Sequence, residues 1–138
     1  MRPAGRIALS AERVATSTQQ PVARPRTALV VDDEAIVRLT AVYMFEDLGF
    51  EVLEAEDAEK ALAVLEQRPD VALLFTDCRM PGMSGPELAR IAAERFPHLR
   101  VVLVSGYADP GSRGEWPLVS KPYDTAELER IIARELGT

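Results

Sequence analysis

From Thr27 to Gly137 the chain alternates short apolar runs with longer stretches whose apolar residues recur every three or four positions. The run at 28–31 stops at Asp32. Residues 34–48 follow, apolar at 36, 39, 42, 43, 45 and 48 and closed by Gly49, which predicts a helix with those positions facing inward. Residues 50–55 predict a second, partly exposed strand. Asp57 then predicts the cap of a helix to about Gln67, with Ala58, Ala61, Leu62, Val64 and Leu65 on its inner face. The unbroken run at 71–76 predicts a third strand buried on both faces. After a turn at Met80, Pro81 and Gly82, Ser84 predicts the start of a helix that Pro97 stops. Residues 99–104 and 118–120 read as strands four and five. Asp124 caps a last helix, with Leu128, Ile131, Ile132 and Leu136 inside and Gly137 past its end. Strands alternating with helices of this length imply right-handed crossovers and a doubly wound α/β fold, a parallel sheet covered on both faces.

Length and composition narrow the picture. A chain of 138 residues has room for one ordinary domain, and 47% hydrophobic with 28% charged residues suits a folded core. Apolar runs are too short for a membrane-spanning helix. A single cysteine, Cys78, precludes an internal disulfide and fits a reducing, cytoplasmic setting. The net charge is −6, yet residues 1–26 carry five arginines against one glutamate, +4, which leaves −10 for the remainder. An acidic domain is a poor match for nucleic acid, whose binding depends on neutralised phosphates. Residues 1–26, interrupted by Pro21 and Pro25 and lacking an apolar signal core, read as a flexible extension to a domain at 27–138.

The chemistry gathers where strands end. Asp32 and Asp33 follow strand one, Asp77 follows strand three, Ser105 and Gly106 close strand four, and Lys121 with Pro122 follows strand five. In an open doubly wound sheet this edge is where ligands bind. Adjacent carboxylates repel one another unless a cation sits among them, and Mg²⁺ accepts one or two carboxylates while keeping several waters. The alternative at Asp32-Asp33 is a helix cap, with Glu34 favouring the positive end of the helix. Asp77 can be a ligand, a turn former or a nucleophile that carries a phosphoryl group. Lys121 can reach a carboxylate or phosphoryl oxygen across one strand spacing, and the Ser105 hydroxyl can donate to the same group.

Four segments in order then resemble the landmarks of response-regulator receiver domains: Val30-Val-Asp-Asp-Glu34, Asp77-Cys-Arg-Met-Pro-Gly-Met-Ser-Gly85, Leu103-Val-Ser-Gly106 and Ser120-Lys-Pro-Tyr123. The resemblance spans about 27–137. It implies a flavodoxin-like five-stranded sheet in the order 2-1-3-4-5, with Asp77 phosphorylated by a sensor histidine kinase or histidine phosphotransfer protein. It further implies Mg²⁺ held by Asp33, Asp32 and Asp77 with the backbone carbonyl of Arg79, and Lys121 and Ser105 on the phosphoryl oxygens. A cis Lys121-Pro122 bond is implied, as is kinase docking around Ala35, Ile36, Leu39, Pro122 and Tyr123. Such a domain signals by protein contact or onward transfer to a downstream protein, and it is not an enzyme beyond its own labelling and slow self-dephosphorylation. Cys78 is expected in the core. The chain reads as a stand-alone receiver or as one cut from a longer protein, with Met1 favouring the first.

Departures from the pattern sharpen the expectations. Only 16 positions separate Ser105 from Lys121, fewer than in such domains, and 108–115 hold one proline and two glycines. The helix usually found between strands four and five is therefore expected to be short or missing. Leu118 stands where the family carries a switch aromatic, leaving Tyr107 or Trp116 as candidate reporters and Trp116 equally a packing residue. Arg79 and Tyr107 should flank the water path to the acyl phosphate and slow its loss. Rival readings are a small Mg²⁺-dependent phosphohydrolase, a flavodoxin-like cofactor binder and a degenerate receiver used only for binding. The phosphohydrolase lacks its second aspartate, because Arg79 stands two residues after Asp77. The cofactor binder would set a phosphate against Asp-Asp-Glu.

Overall fold

The computed structural model describes residues 25–106 and 116–137. Five strands alternate with four helices among them: β1 (Thr27–Val31), α1 (Ala35–Asp47), β2 (Glu51–Ala55), α2 (Ala58–Gln67), β3 (Leu73–Asp77), α3 (Gly85–Arg95), β4 (Arg100–Ser105), β5 (Leu118–Ser120) and α4 (Thr125–Leu136). The strands form one parallel sheet in the order β2-β1-β3-β4-β5. Strand order and doubly wound class are as the sequence and its resemblance implied. The expected loss of a helix falls on 108–115, outside the described residues, as do residues 1–24 of the expected extension at 1–26.

Alternation along the strands builds two cores. Ala28, Val30, Leu73, Phe75, Val102, Val104 and Val119 face α1 and α4, where they meet Val42, Phe45, Leu128 and Ile132. Leu29, Val31, Leu74, Val101 and Leu103 face α2 and α3, against Ala61, Leu65, Leu88 and Ala92. Phe45 centres the first core, edge-on to Phe50 and Phe75 at 5.4 and 5.0 Å.

Local signals fix the helix starts. Asp57 accepts from the Lys60 N–H, and Ser84 and Asp124 each close a reciprocal capping box with Glu87 and Glu127. Gly137 ends α4 in the left-handed conformation at φ 72°. One expectation fails on α1. Of its predicted inner face, Val42 and Phe45 are buried, but Ile36, Leu39 and Tyr43 are exposed. Apolar residues lie almost all round this helix, so periodicity does not single out one face. Strands three and four each end a residue later than predicted, which carries Asp77 and Ser105 into the sheet.

Candidate functional site at the carboxyl edge of the sheet

Register brings the site together. Val31 pairs with Thr76, so Asp32 and Asp77 leave adjacent strands at the same level. Asp77 pairs with Val104, and the Cys78 N–H continues the ladder to the Val104 carbonyl at 2.9 Å. Ser105 pairs with Ser120, and the Lys121 N–H donates to the Ser105 carbonyl at 2.8 Å. Because Val30, Phe75 and Val119 share a sheet face, Asp32, Asp77 and Lys121, each two residues on, project on that same side.

The charged groups converge. One carboxylate oxygen from each of Asp32, Asp33 and Asp77 lies within 4.8 Å of the others. The Lys121 ammonium sits 3.6 Å from Asp32 Oδ2 and 3.6 Å from Asp77 Oδ1, forming two long ion pairs. Three carboxylates thus gather around the Lys121 ammonium. Asp32 is buried, Asp77 half-buried and Asp33 exposed. Burial raises the Asp77 carboxyl above the ordinary aspartate range, and the Asp32 charge adds to this, while Lys121 and the Cys78 N–H oppose it. Tyr123, packed edge-on against Phe75 at 5.8 Å, has its hydroxyl pushed up to about 12 by burial and then by the Asp32 and Asp77 charges.

A helix-cap explanation of the acidic pair does not hold. Glu34 occupies the N-cap of α1 with no side-chain cap bond, and Asp32 Oδ1 accepts instead from the Glu34 N–H at 2.9 Å. That bond shapes the turn and leaves the second Asp32 oxygen facing Lys121. The donor set, hard carboxylate oxygens with surplus negative charge, fits a divalent cation such as Mg²⁺.

The remaining candidates are distributed as follows. Ser105 is buried at the edge, but its hydroxyl donates to the Gly106 carbonyl at 2.8 Å and must rotate to serve another acceptor. Arg79 is exposed in the β3–α3 loop. Cys78 is buried in the core against α2 and α3, as expected. The Lys121-Pro122 bond is cis. Trp116 precedes β5 rather than extending it, and packs on the α2–α3 core, which favours the packing role. Tyr107 lies outside the described residues.

Two contributors escaped the sequence reading. An added Cβ on Gly85 would strike the Asp77 carbonyl oxygen and come within 2.9 Å of Cys78 Cα, so only glycine lets α3 start this close to the acceptor aspartate. Its place in the motif was visible, but the clearance it provides was not. Arg38 donates to the Asp32 carbonyl at 2.8 Å, and an arginine in the first turns of a helix gives no sequence signal for such a contact.

Comparison with known proteins agrees with this geometry. The response regulator receiver domain model matches residues 28–133. The chain is 31% identical over 114 residues to the response regulator receiver protein CpdR of Brucella abortus, covering 78% of this chain and 94% of that protein. It is 30% identical over 117 residues to the sensor kinase CckA of the same organism, covering 80% of this chain, and 47% identical over 66 residues to the phosphate regulon transcriptional regulatory protein PhoB of Pseudomonas aeruginosa, covering 47% of it. The chain spans only 12% of CckA and 28% of PhoB. Among solved structures, a response regulator receiver domain protein from Clostridium thermocellum superposes with a TM-score of 0.74 at 25% identity, covering 79% of this chain and 92% of that one. A response regulator receiver protein from Pseudomonas putida gives 0.71 at 28%, covering 83% and 100%.

Proposed function

The chain belongs to the response regulator receiver domain family, and we propose that it accepts a phosphoryl group on Asp77 from a sensor histidine kinase or histidine phosphotransfer protein. The observation that supports this reading most strongly is the single Lys121 ammonium poised 3.6 Å from both Asp32 and Asp77 at the rim of a three-carboxylate cluster. Asp32, Asp33 and Asp77, with the backbone carbonyl of Arg79, are the ligands we assign to Mg²⁺. Bound there, the ion screens the charge on the phosphoryl oxygens and on the attacking carboxylate.

A carboxylate oxygen of Asp77 attacks phosphorus in line. The P–N bond to the donor histidine breaks, its electron pair stays on the imidazole nitrogen, and that nitrogen takes a proton from solvent. The Lys121 ammonium follows the charge onto one equatorial oxygen, and the Ser105 hydroxyl turns from Gly106 to donate to another. The product is an acyl phosphate that water hydrolyses slowly, giving back the Asp77 carboxylate and inorganic phosphate, so the protein is a signalling switch rather than a turnover enzyme. Its output is protein contact or onward phosphotransfer, driven by whatever two conformations hold the phosphoryl group unequally.

The docking surface fits the same scheme. Ile36, Val37, Thr40, Met44, Pro122 and Tyr123 line an apolar groove beside Lys121, with Ile36 82% exposed. A kinase or phosphotransfer helix seated there brings its histidine to the acidic edge. We assign 27–138 to the receiver and 1–26 to an extension, with a cytoplasmic location and no nucleic-acid or membrane partner; among the described residues no helix is long and apolar enough to cross a membrane.

Incubation with acetyl phosphate and Mg²⁺ followed by intact mass analysis tests the assignment. The unaltered chain should gain one phosphoryl group, and Asp77→Ala none. Equal labelling of both, or labelling that does not need Mg²⁺, rejects it. A phosphohydrolase would instead release inorganic phosphate continuously.

A further inference from the structure

Every polar backbone and carboxylate atom of Asp32 is engaged, and one of those engagements comes from a side chain outside the acidic cluster. The Asp32 N–H donates to the Ala55 carbonyl at 3.2 Å, Oδ1 accepts from Glu34 N–H, and Oδ2 faces Lys121. Its backbone carbonyl accepts from Arg38 Nη1 at 2.8 Å. The same guanidinium donates through Nε to Glu54 Oε1 at 2.9 Å, and the Arg38 side chain is only 18% exposed. Arg38 is also tied into the first turn of α1, its own N–H donating to the Glu34 carbonyl at 2.9 Å.

We propose that Arg38, oriented by Glu54, is a positioning residue that fixes the β1–α1 turn so that Asp32 and Asp33 present their carboxylates as a preformed metal site. The inference rests on reading that cluster as a Mg²⁺ site. Arginine suits the task because its planar fork offers two differently directed donors, one for the turn and one for strand β2. A lysine supplies one compact ammonium and cannot span both acceptors in this geometry. Glu54 has a second effect. It cancels the guanidinium charge, which would otherwise stand a few residues from a cation site and repel its ligand. The pair therefore contributes orientation at no net charge, as partners behind metal ligands do. Without it the turn retains the Glu34 bond and the Ala55 bond to the end of β2, but loses the side-chain link that joins the Asp32 carbonyl to α1 and to Glu54.

Charge balance makes the idea testable. Replacing Arg38→Met together with Glu54→Gln removes the link while leaving the net charge of the pair at zero. Mg²⁺ titrated into the full chain by calorimetry should bind about 10-fold more weakly in this double variant. At saturating Mg²⁺, its labelling by acetyl phosphate should recover towards that of the parent. Arg38→Lys, which keeps the charge and most of the packing, should weaken Mg²⁺ several-fold and decides the matter if the double variant does not fold. A purely structural role predicts a lower Tm with unchanged Mg²⁺ affinity. Mg²⁺ affinities within twofold of the parent in the folded variants overturn the proposal and leave the Asp77 reading standing. A parent that binds no Mg²⁺ defeats that reading and this proposal with it.

Discussion

The two ends of the sheet each gather acidic and basic side chains, to opposite purpose. At the amino edge, Arg68 grips Asp70 through Nε and Nη2 at 3.0 Å each and Glu51 at 3.2 and 3.4 Å, while the Thr27 hydroxyl donates to Glu51 at 2.9 Å. The geometry is forked, and the Arg68, Glu51 and Asp70 side chains stand largely in solvent, although Thr27 is buried. Hydrogen bonds from Arg68 and then Thr27 hold the Glu51 carboxyl below its usual range. At the carboxyl edge, three carboxylates share one lysine at 3.6 Å and the central one is raised. The first cluster is complete as folded and contributes little beyond the surface. Among the described residues the second is short of positive charge, a deficit that the proposed Mg²⁺ would answer.

Disabling Lys121 should have the largest effect. Lys121→Met removes the group proposed to stabilise charge on the transferring phosphoryl oxygens, and initial labelling by acetyl phosphate should slow by about 100-fold. A change under threefold would show that the ammonium is an ornament of the edge. Gly85→Ala comes next. Backbone meets backbone there, so chemical denaturation should report a loss of about 2 kcal/mol, with Asp77 labelling impaired in whatever remains folded; a neutral result would mean that α3 can slide away from Asp77.

The acidity of the two edges diverges with pH. A raised carboxyl destabilises the fold once ionised, so Asp77→Asn should raise the Tm near pH 7. That gain should shrink as pH falls through the Asp77 ionisation, where the wild-type carboxyl takes up its proton. Glu51 has the reverse sign: its lowered carboxyl contributes stability above the ordinary glutamate range, lost as pH falls through the lowered value, so Glu51→Gln should lower the neutral Tm slightly and leave Mg²⁺ affinity alone. If both variants shift Tm the same way at neutral pH, the contrast between the edges is wrong. The smallest effect concerns lifetime: Arg79→Ala should speed decay of the phosphorylated form a few-fold (on the order of 1 kcal/mol or less), read by intact mass over time.

Much of this was legible in the sequence because strands and caps announce themselves locally. Asp57, Ser84 and Asp124 cap their helices through bonds to residues three positions on, and the apolar runs at β1 and β3 have no competing reading. The acidic cluster followed once the strand ends were aligned. What escaped depends on long-range geometry. The buried face of α1 was misassigned because Ile36, Leu39 and Tyr43 are as apolar as Phe45, and only the position of β2 and β3 selects among them. Arg38 bonds Glu54 sixteen residues away, and Gly85 clears a carbonyl on another element. The present direction of the Ser105 hydroxyl toward Gly106 was likewise invisible to motif spacing.

Thermal unfolding with and without Mg²⁺ tests most directly whether the carboxyl edge is a charge deficit awaiting a cation. The Tm of the unaltered chain should climb steadily with Mg²⁺ above its Kd, by about 1.4 kcal/mol of stability per tenfold excess, and Asp33→Asn should flatten the response. A Tm indifferent to Mg²⁺, or equally responsive after Asp33→Asn, would contradict the account.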